Sequence, residues 1–386
     1  MSWQQRLSLA LRDQQEAGLW RIRHPVVSLP GGKLRAGNSE FHHFSSNDYL
    51  GLSQHPAIIT AWQQGLSQWG AGAGASGYVT GHTPAHQRLE ETLAGWLGFS
   101  QALLFQSGFA ANQALVFTLA QATDRLLADK LMHASFLEAA YHSPATLRRF
   151  AHNSPESLDR LLRTSGGGEC LIITEGVFSM DGDQAPLTPL RQLADRSGSL
   201  LVVDDAHGFG VCGPQGRGSC AQQQVWPDIL VVTFGKALGI SGAAILCGPE
   251  VADYLRQKAK HLIYSTAMPP AQADAIETAL TLVAGSDGLR EKLQQNIDYF
   301  RQQAGSLPWR LAPSASAIQP LIIGDNQAAE RLAMRLRRSG LWVNAIRPPT
   351  VPAGLARLRI TLSAAHQPAQ IRQLTEALHA AAREIL

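Results

Sequence analysis

From about residue 51 to residue 248, short apolar runs alternate with helical stretches, and this alternation narrows the possible folds more than any other feature. The runs cover residues 102–105, 126–128, 170–174, 200–203, 229–234 and 242–246. Runs this short, each followed by a helix, read as strands joined by crossover connections, which makes a largely parallel sheet. A helical region around 250–305 follows. The last stretch has a different rhythm: strand-like 318–323, a helix over 327–338, strand-like 341–346 and 356–362, and a final helix over 369–385. At the other end, Trp3, Leu7, Leu11 and Leu19 recur at near-helical spacing, so residues 3–23 are expected to be helical. The reading is an N-terminal arm over 1–45, a large α/β domain over 46–290 and a smaller α+β domain over 291–386. Gly166, Gly167 and Gly168 read as a surface turn.

A chain of 386 residues, 45% apolar and 16% charged, has room for two domains and a large core. A formal charge of +3 is small for this length and makes no case for nucleic acid as a partner. The four cysteines form no C-x-x-C pair, so reduced thiols in the cytoplasm are expected. The polar start, Met1-Ser-Trp-Gln-Gln-Arg6, lacks a signal-peptide core. No run approaches the roughly 20 apolar residues of a membrane span.

The chemistry gathers where the apolar runs stop. Lys236 lies just past Ile229-Leu-Val-Val-Thr-Phe234, with Gly235 and Gly239 beside it. That setting is expected to desolvate the amine, which disfavours its charged form and makes it a usable nucleophile and base. The glycines leave room for a ring to approach the backbone. Asp204 and His207 end the preceding run in Asp204-Asp-Ala-His-Gly208, and sites in parallel sheets collect at the carboxyl ends of strands. A desolvated lysine and an acid at a nearby strand end are what pyridoxal 5'-phosphate (PLP) requires: the amine bonds the cofactor and the acid keeps the pyridine nitrogen protonated. Ser107-Gly-Phe-Ala-Ala-Asn112 turns from a strand into a helix, where backbone N–H groups and Gly108 suit a phosphate; Thr233 could donate to the same phosphate. His133 could stack on the cofactor ring, and Glu175 and Ser179 follow another strand end.

Two patterns point elsewhere and are set aside. Gly72-Ala-Gly-Ala-Ser-Gly77 matches a dinucleotide fingerprint, but helix-like Trp62–Trp69 precedes it where a strand is required. His82 and His86 have a zinc-like spacing, but Thr83-Pro84 reads as a helix cap followed by proline at the first turn, so no metal is expected there.

Taken together, these residues resemble the α-oxoamine synthase family of fold-type I PLP enzymes over nearly the whole chain. The resemblance is carried by Ser45-Ser-Asn-Asp-Tyr-Leu-Gly-Leu52, Ser107–Asn112, His133-Ala-Ser135, Glu175-Gly-Val-Phe-Ser-Met-Asp-Gly182, Asp204–Gly208, Thr233-Phe-Gly-Lys236, Tyr264-Ser-Thr266 and Arg357-Leu-Arg-Ile-Thr361. It implies a mostly parallel central sheet in a large domain, a smaller α+β C-terminal domain and an N-terminal helical arm. It implies a catalytic set of Lys236, His133, Asp204 and His207. PLP would be held by these four with Gly108, Phe109, Glu175, Ser179 and Thr233. Ser265 and Thr266 would reach the phosphate of a neighbouring subunit, implying a homodimer with shared sites. Arg359 and Asn47 would take the amino-acid carboxylate, with His133 beside it. Arg21 and Thr350 would contact the acyl substrate. The activity implied is a decarboxylating condensation of L-alanine with a pimeloyl thioester, carried on CoA or a carrier protein. The motifs leave a glycine-using condensation with succinyl- or acetyl-CoA open.

Overall fold

The computed structural model describes residues 1–164 and 167–385, so Gly166 of the expected turn lies outside the described residues. Two compact units emerge. One comprises Asn47–Ser179 and Asp183–Glu291; the other comprises Met1–Ser46, Met180–Gly182 and Lys292–Leu386.

The first unit is built on a seven-stranded sheet. Its strands, in spatial order, are Gln101–Phe105, Ala243–Cys247, Ile229–Thr233, Leu200–Asp204, Cys170–Glu175, Arg125–Asp129 and Thr146–Phe150. Only Ala243–Cys247 runs against its neighbours; every other pairing is parallel. The six apolar runs are therefore all strands, each within a residue or two of its expected bounds. Cys170–Glu175, Ile229–Thr233 and Ala243–Cys247 are buried at every position, as expected of strands covered on both faces. The seventh strand, Thr146–Phe150, was not expected. It is an edge strand with Arg148 and Arg149 exposed, so it has no continuous apolar run to betray it. The helix Pro56–Trp69 precedes the glycine-rich segment, and Thr83 caps the helix Pro84–Leu97 with Pro84 in its first turn.

The second unit holds two four-stranded sheets. One orders Val27–Leu29, Lys33–Ala36, Ser39–His43 and Leu341–Trp342; the other, antiparallel, orders Arg310–Leu311, Ile318–Gly324, Ala356–Thr361 and Ala345–Ile346. Two expectations need correction here. The N-terminal helix spans Trp3–Glu16 and does not reach residue 23; Gly18, at φ 66°, turns the chain. The expected strand over 341–346 is two short strands in different sheets, parted at Val343 and Asn344, where the Asn344 carbonyl accepts from Arg359 N–H. Among the described residues no helix is long and apolar enough to cross a membrane.

Candidate active site

At the carboxyl ends of the parallel strands lies a cavity of about 310 Å³, large enough for a small cofactor. Asn47, Gly108, Phe109, His133, Glu175, Asp204, His207, Thr233 and Lys236 all line it. The sheet explains this convergence: Glu175, Asp204 and Thr233 are the last residues of three neighbouring strands.

Asp204 is buried and accepts one hydrogen bond on each oxygen. Its Oδ2 accepts from Asn112 Nδ2 at 2.8 Å and its Oδ1 from Ala206 N–H at 3.1 Å. Asn112 also donates to Ser135 Oγ at 3.0 Å, and Ser135 Oγ lies 2.8 Å from His133 Nδ1. Ser135 N–H donates to that same nitrogen at 3.3 Å. A backbone N–H can only donate, so Nδ1 is the acceptor and the His133 proton sits on Nε2. Burial holds the His133 pKa below its usual value, against the nearby Asp204 charge, so the ring is a neutral imidazole. The relay runs in one direction, from the Asn112 amide to the Ser135 hydroxyl to the imidazole.

The adjacent Asp205 points the other way. Ser219 donates to it twice, from Oγ at 2.6 Å and from N–H at 2.7 Å. A Cβ at Gly176, Gly208 or Gly218 would stand within 2.2 Å of its carboxylate. Those glycines pack against Asp205 and fix the turn that carries His207. The His207 ring meets the Tyr49 hydroxyl, with Nδ1 and Oη 2.5 Å apart.

The helix Gly108–Leu119 starts at the cavity, its cap Ser107 accepting from Ala110 N–H. Unspent N–H groups of a first helical turn favour an anion. A Cβ on Gly108 would stand 2.7 Å from Thr233 Cγ2, so only glycine leaves this cradle open. Lys236 Nζ donates to Thr233 Oγ1 at 3.3 Å. Glu175, at the end of the strand beside Asp204, accepts from Ser179 N–H at 3.2 Å, while its Oε1 is buried with no protein partner. Burial, then the Asp204 charge, pushes the Glu175 carboxyl well above the usual carboxylate range. An anion cradle, a half-buried amine, an engaged carboxylate, a neutral imidazole and an unmet polar atom together fit PLP.

Other residues singled out from the sequence lie elsewhere. Ser179 reaches this cluster through its bond to Glu175. Ser265 and Thr266 are exposed and line a second cavity with Tyr78 and His82. Arg21 and Thr350 line one cavity of about 650 Å³ in the other unit, with Arg23, Arg337 and Arg347. Arg359 is in that unit too, buried, with its guanidinium donating to Thr361 Oγ1 at 3.1 Å. His86 takes Thr83 N–H on Nδ1 and bonds the Met268 carbonyl through Nε2, so both its nitrogens are spent on structure. Asn112, Ser135 and Tyr49 were not singled out from the sequence as site residues. Asn112 lies one helical turn beyond Gly108, so the spacing carried a signal; the other two are placed by long-range packing.

The family model for aminotransferase class I and II matches residues 39–378. An 8-amino-7-oxononanoate synthase from Yersinia enterocolitica is 58% identical over 98% of this chain and 99% of that protein. One from Cronobacter sakazakii is 59% identical with the same coverage. Among solved structures, serine palmitoyltransferase from Sphingomonas wittichii aligns at a TM-score of 0.91 and 29% identity, over 97% of this chain and 96% of that one. The 8-amino-7-oxononanoate synthase of Francisella tularensis aligns at 0.77 and 31%, over 89% and 98%.

Proposed function

The chain belongs to the aminotransferase class I and II family, and we propose that it is a PLP-dependent acyltransferase joining L-alanine to a pimeloyl thioester, with loss of CO2, to give 8-amino-7-oxononanoate for biotin biosynthesis. The observation that carries the chemistry is the one cavity that Lys236, the bonded Asp204 carboxylate and the Gly108 cradle all line. The choice of substrates follows the near-full-length identity to synthases of that name.

When bound, PLP supplies an electron sink for the carbanion made at the alanine Cα. The protein's tasks are separable. Lys236 would be the attachment point, and its Nζ would take the alanine Cα proton. Asp204, fixed by Asn112 and Ala206, would meet the ring nitrogen. The Gly108 and Phe109 N–H groups and Thr233 would hold the phosphate. His133, neutral with its proton on Nε2, would lie against the ring face and could donate to a carbonyl oxygen. Asn47, which lines this cavity, would take the alanine carboxylate; the roles of Arg359, Arg21 and Thr350 toward the substrates follow the family resemblance. His207 and Ser179 would bond the ring oxygen.

A homodimer in the cytoplasm is part of this proposal. Support comes from the exposed Ser265 and Thr266, and from a helix Trp3–Glu16 that buries no residue in the single chain. The test is a product assay crossing alanine and glycine with pimeloyl-, succinyl- and acetyl-CoA. Alanine with pimeloyl-CoA should give the main product; a preference for glycine would overturn the substrate assignment and leave the cofactor assignment standing.

A further inference from the structure

Glu175 and Asp204 end adjacent parallel strands in direct register, and both line the same cavity. Two carboxylates so placed, out of water, do not readily both ionise, because desolvation and like charge each favour the acid form of one. Their hydrogen bonds decide which. Asp204 accepts from Asn112 and from Ala206 N–H. Glu175 accepts a bond only on Oε2, from Ser179 N–H, and its Oε1 is buried without a protein partner. If ionised, Glu175 would bury a charged oxygen that no protein group donates to, which is expensive. If protonated, it presents an O–H to whatever occupies the cavity. The charges that bear on it are those of Asp204, Asp129 and Lys236, and burial is the largest cause of its raised pKa.

We propose that Glu175 is a further catalytic residue, a neutral carboxylic acid whose O–H donates a hydrogen bond to an oxygen of the bound cofactor. The inference rests on the reading of this cavity as the PLP site. It gives the strand pair a division of labour: Asp204 supplies charge, and Glu175 supplies a proton donor without adding a second charge. Glutamine would preserve a neutral donor at this position, and alanine would not.

The test is infrared difference spectroscopy on protein carrying 13C-labelled glutamate, wild type minus Glu175→Gln, at neutral pH with and without PLP. The wild type should hold a carboxylic-acid C=O band that the variant lacks, and the band should move to lower frequency when PLP binds. A carboxylate band in its place, or an acid band that does not move on binding, overturns the proposal. Glu175→Gln should bind PLP within about threefold of wild type and Glu175→Ala about tenfold more weakly; equal losses in the two variants overturn the donor role. Asp204→Asn gives a readout that needs no substitution at 175. The pH at which the acid band titrates should fall when the neighbouring charge is removed, and an unchanged midpoint would overturn the like-charge argument. Failure of the cofactor reading looks different: no visible absorbance would develop on adding PLP to the wild type.

Discussion

Gly108 and Thr233 come from different strand ends, yet the space between them decides whether an anion fits. A methyl group at 108 would meet Thr233 Cγ2 at 2.7 Å, an overlap that costs about 1–3 kcal/mol unless the chain shifts. Gly108→Ala should therefore weaken PLP binding about tenfold and lower the melting temperature by a few degrees. Removing the offending methyl should restore binding, so titration of Gly108→Ala/Thr233→Ser with PLP checks the cause. No recovery in the double variant would place the loss elsewhere. At this scale much of the site was legible, because Lys236, Asp204, His207 and Gly108 announce themselves by standing where apolar runs end. Asn112 and Ser135 were harder. A polar residue within a helix or just past a histidine is common, and only the fold puts them in line with Asp204 and His133.

Among the elements, the strand end at Asp129 and the loop that carries Asp183 are tied together by His152. Its Nδ1 meets Asp129 Oδ1 at 2.9 Å and its Nε2 meets Asp183 Oδ2 at 2.7 Å, with the Phe178 ring edge-on at 4.4 Å between centroids. Those two carboxylates outweigh the opposing effect of burial and raise the imidazole to about 10 from its ordinary 6.5. A group whose pKa rises on folding contributes stability that is fully present below 6.5 and is lost as pH climbs through about 10. Allowing for solvent at its exposed edge, the clamp is worth about 2 kcal/mol. His152→Gln should lower the unfolding temperature by several degrees at pH 6, and the gap to wild type should close towards pH 10. A gap that is constant with pH would mean that shape matters at this site and charge does not. The buried strands were readable because unbroken apolar runs have few other uses. The edge strand Thr146–Phe150 was not, because solvent accepts its arginines and its pairing partner is not local.

For the molecule as a whole, a histidine in the second unit responds to pH in the sense opposite to His152. The unit that contains His366 buries this ring at 1% exposure. Ser363 N–H donates to Nδ1 at 3.1 Å, so Nε2 carries the proton and donates to the His43 carbonyl at 2.9 Å. Protonating Nδ1 breaks the first bond and buries a charge, and burial lowers the pKa to about 4. For a base whose pKa falls on folding, the stabilisation is complete above 6.5 and drains away as pH drops towards about 4. Linkage puts the loss from this ring between pH 7 and pH 5 at about 2 kcal/mol. A His366→Gln protein should be less stable than wild type at pH 7, since it loses the fitted pair of bonds. Its further loss on moving to pH 5 should be smaller by that amount. Urea denaturation of both proteins at the two pH values measures the difference directly. Parallel losses would mean that His366 is not the group that titrates, and would move the acid sensitivity to His43, whose pKa burial also lowers to about 4. His152 weakens in alkali and His366 in acid, so the two histidines, in opposite protonation states, bear on stability at opposite ends of the pH range.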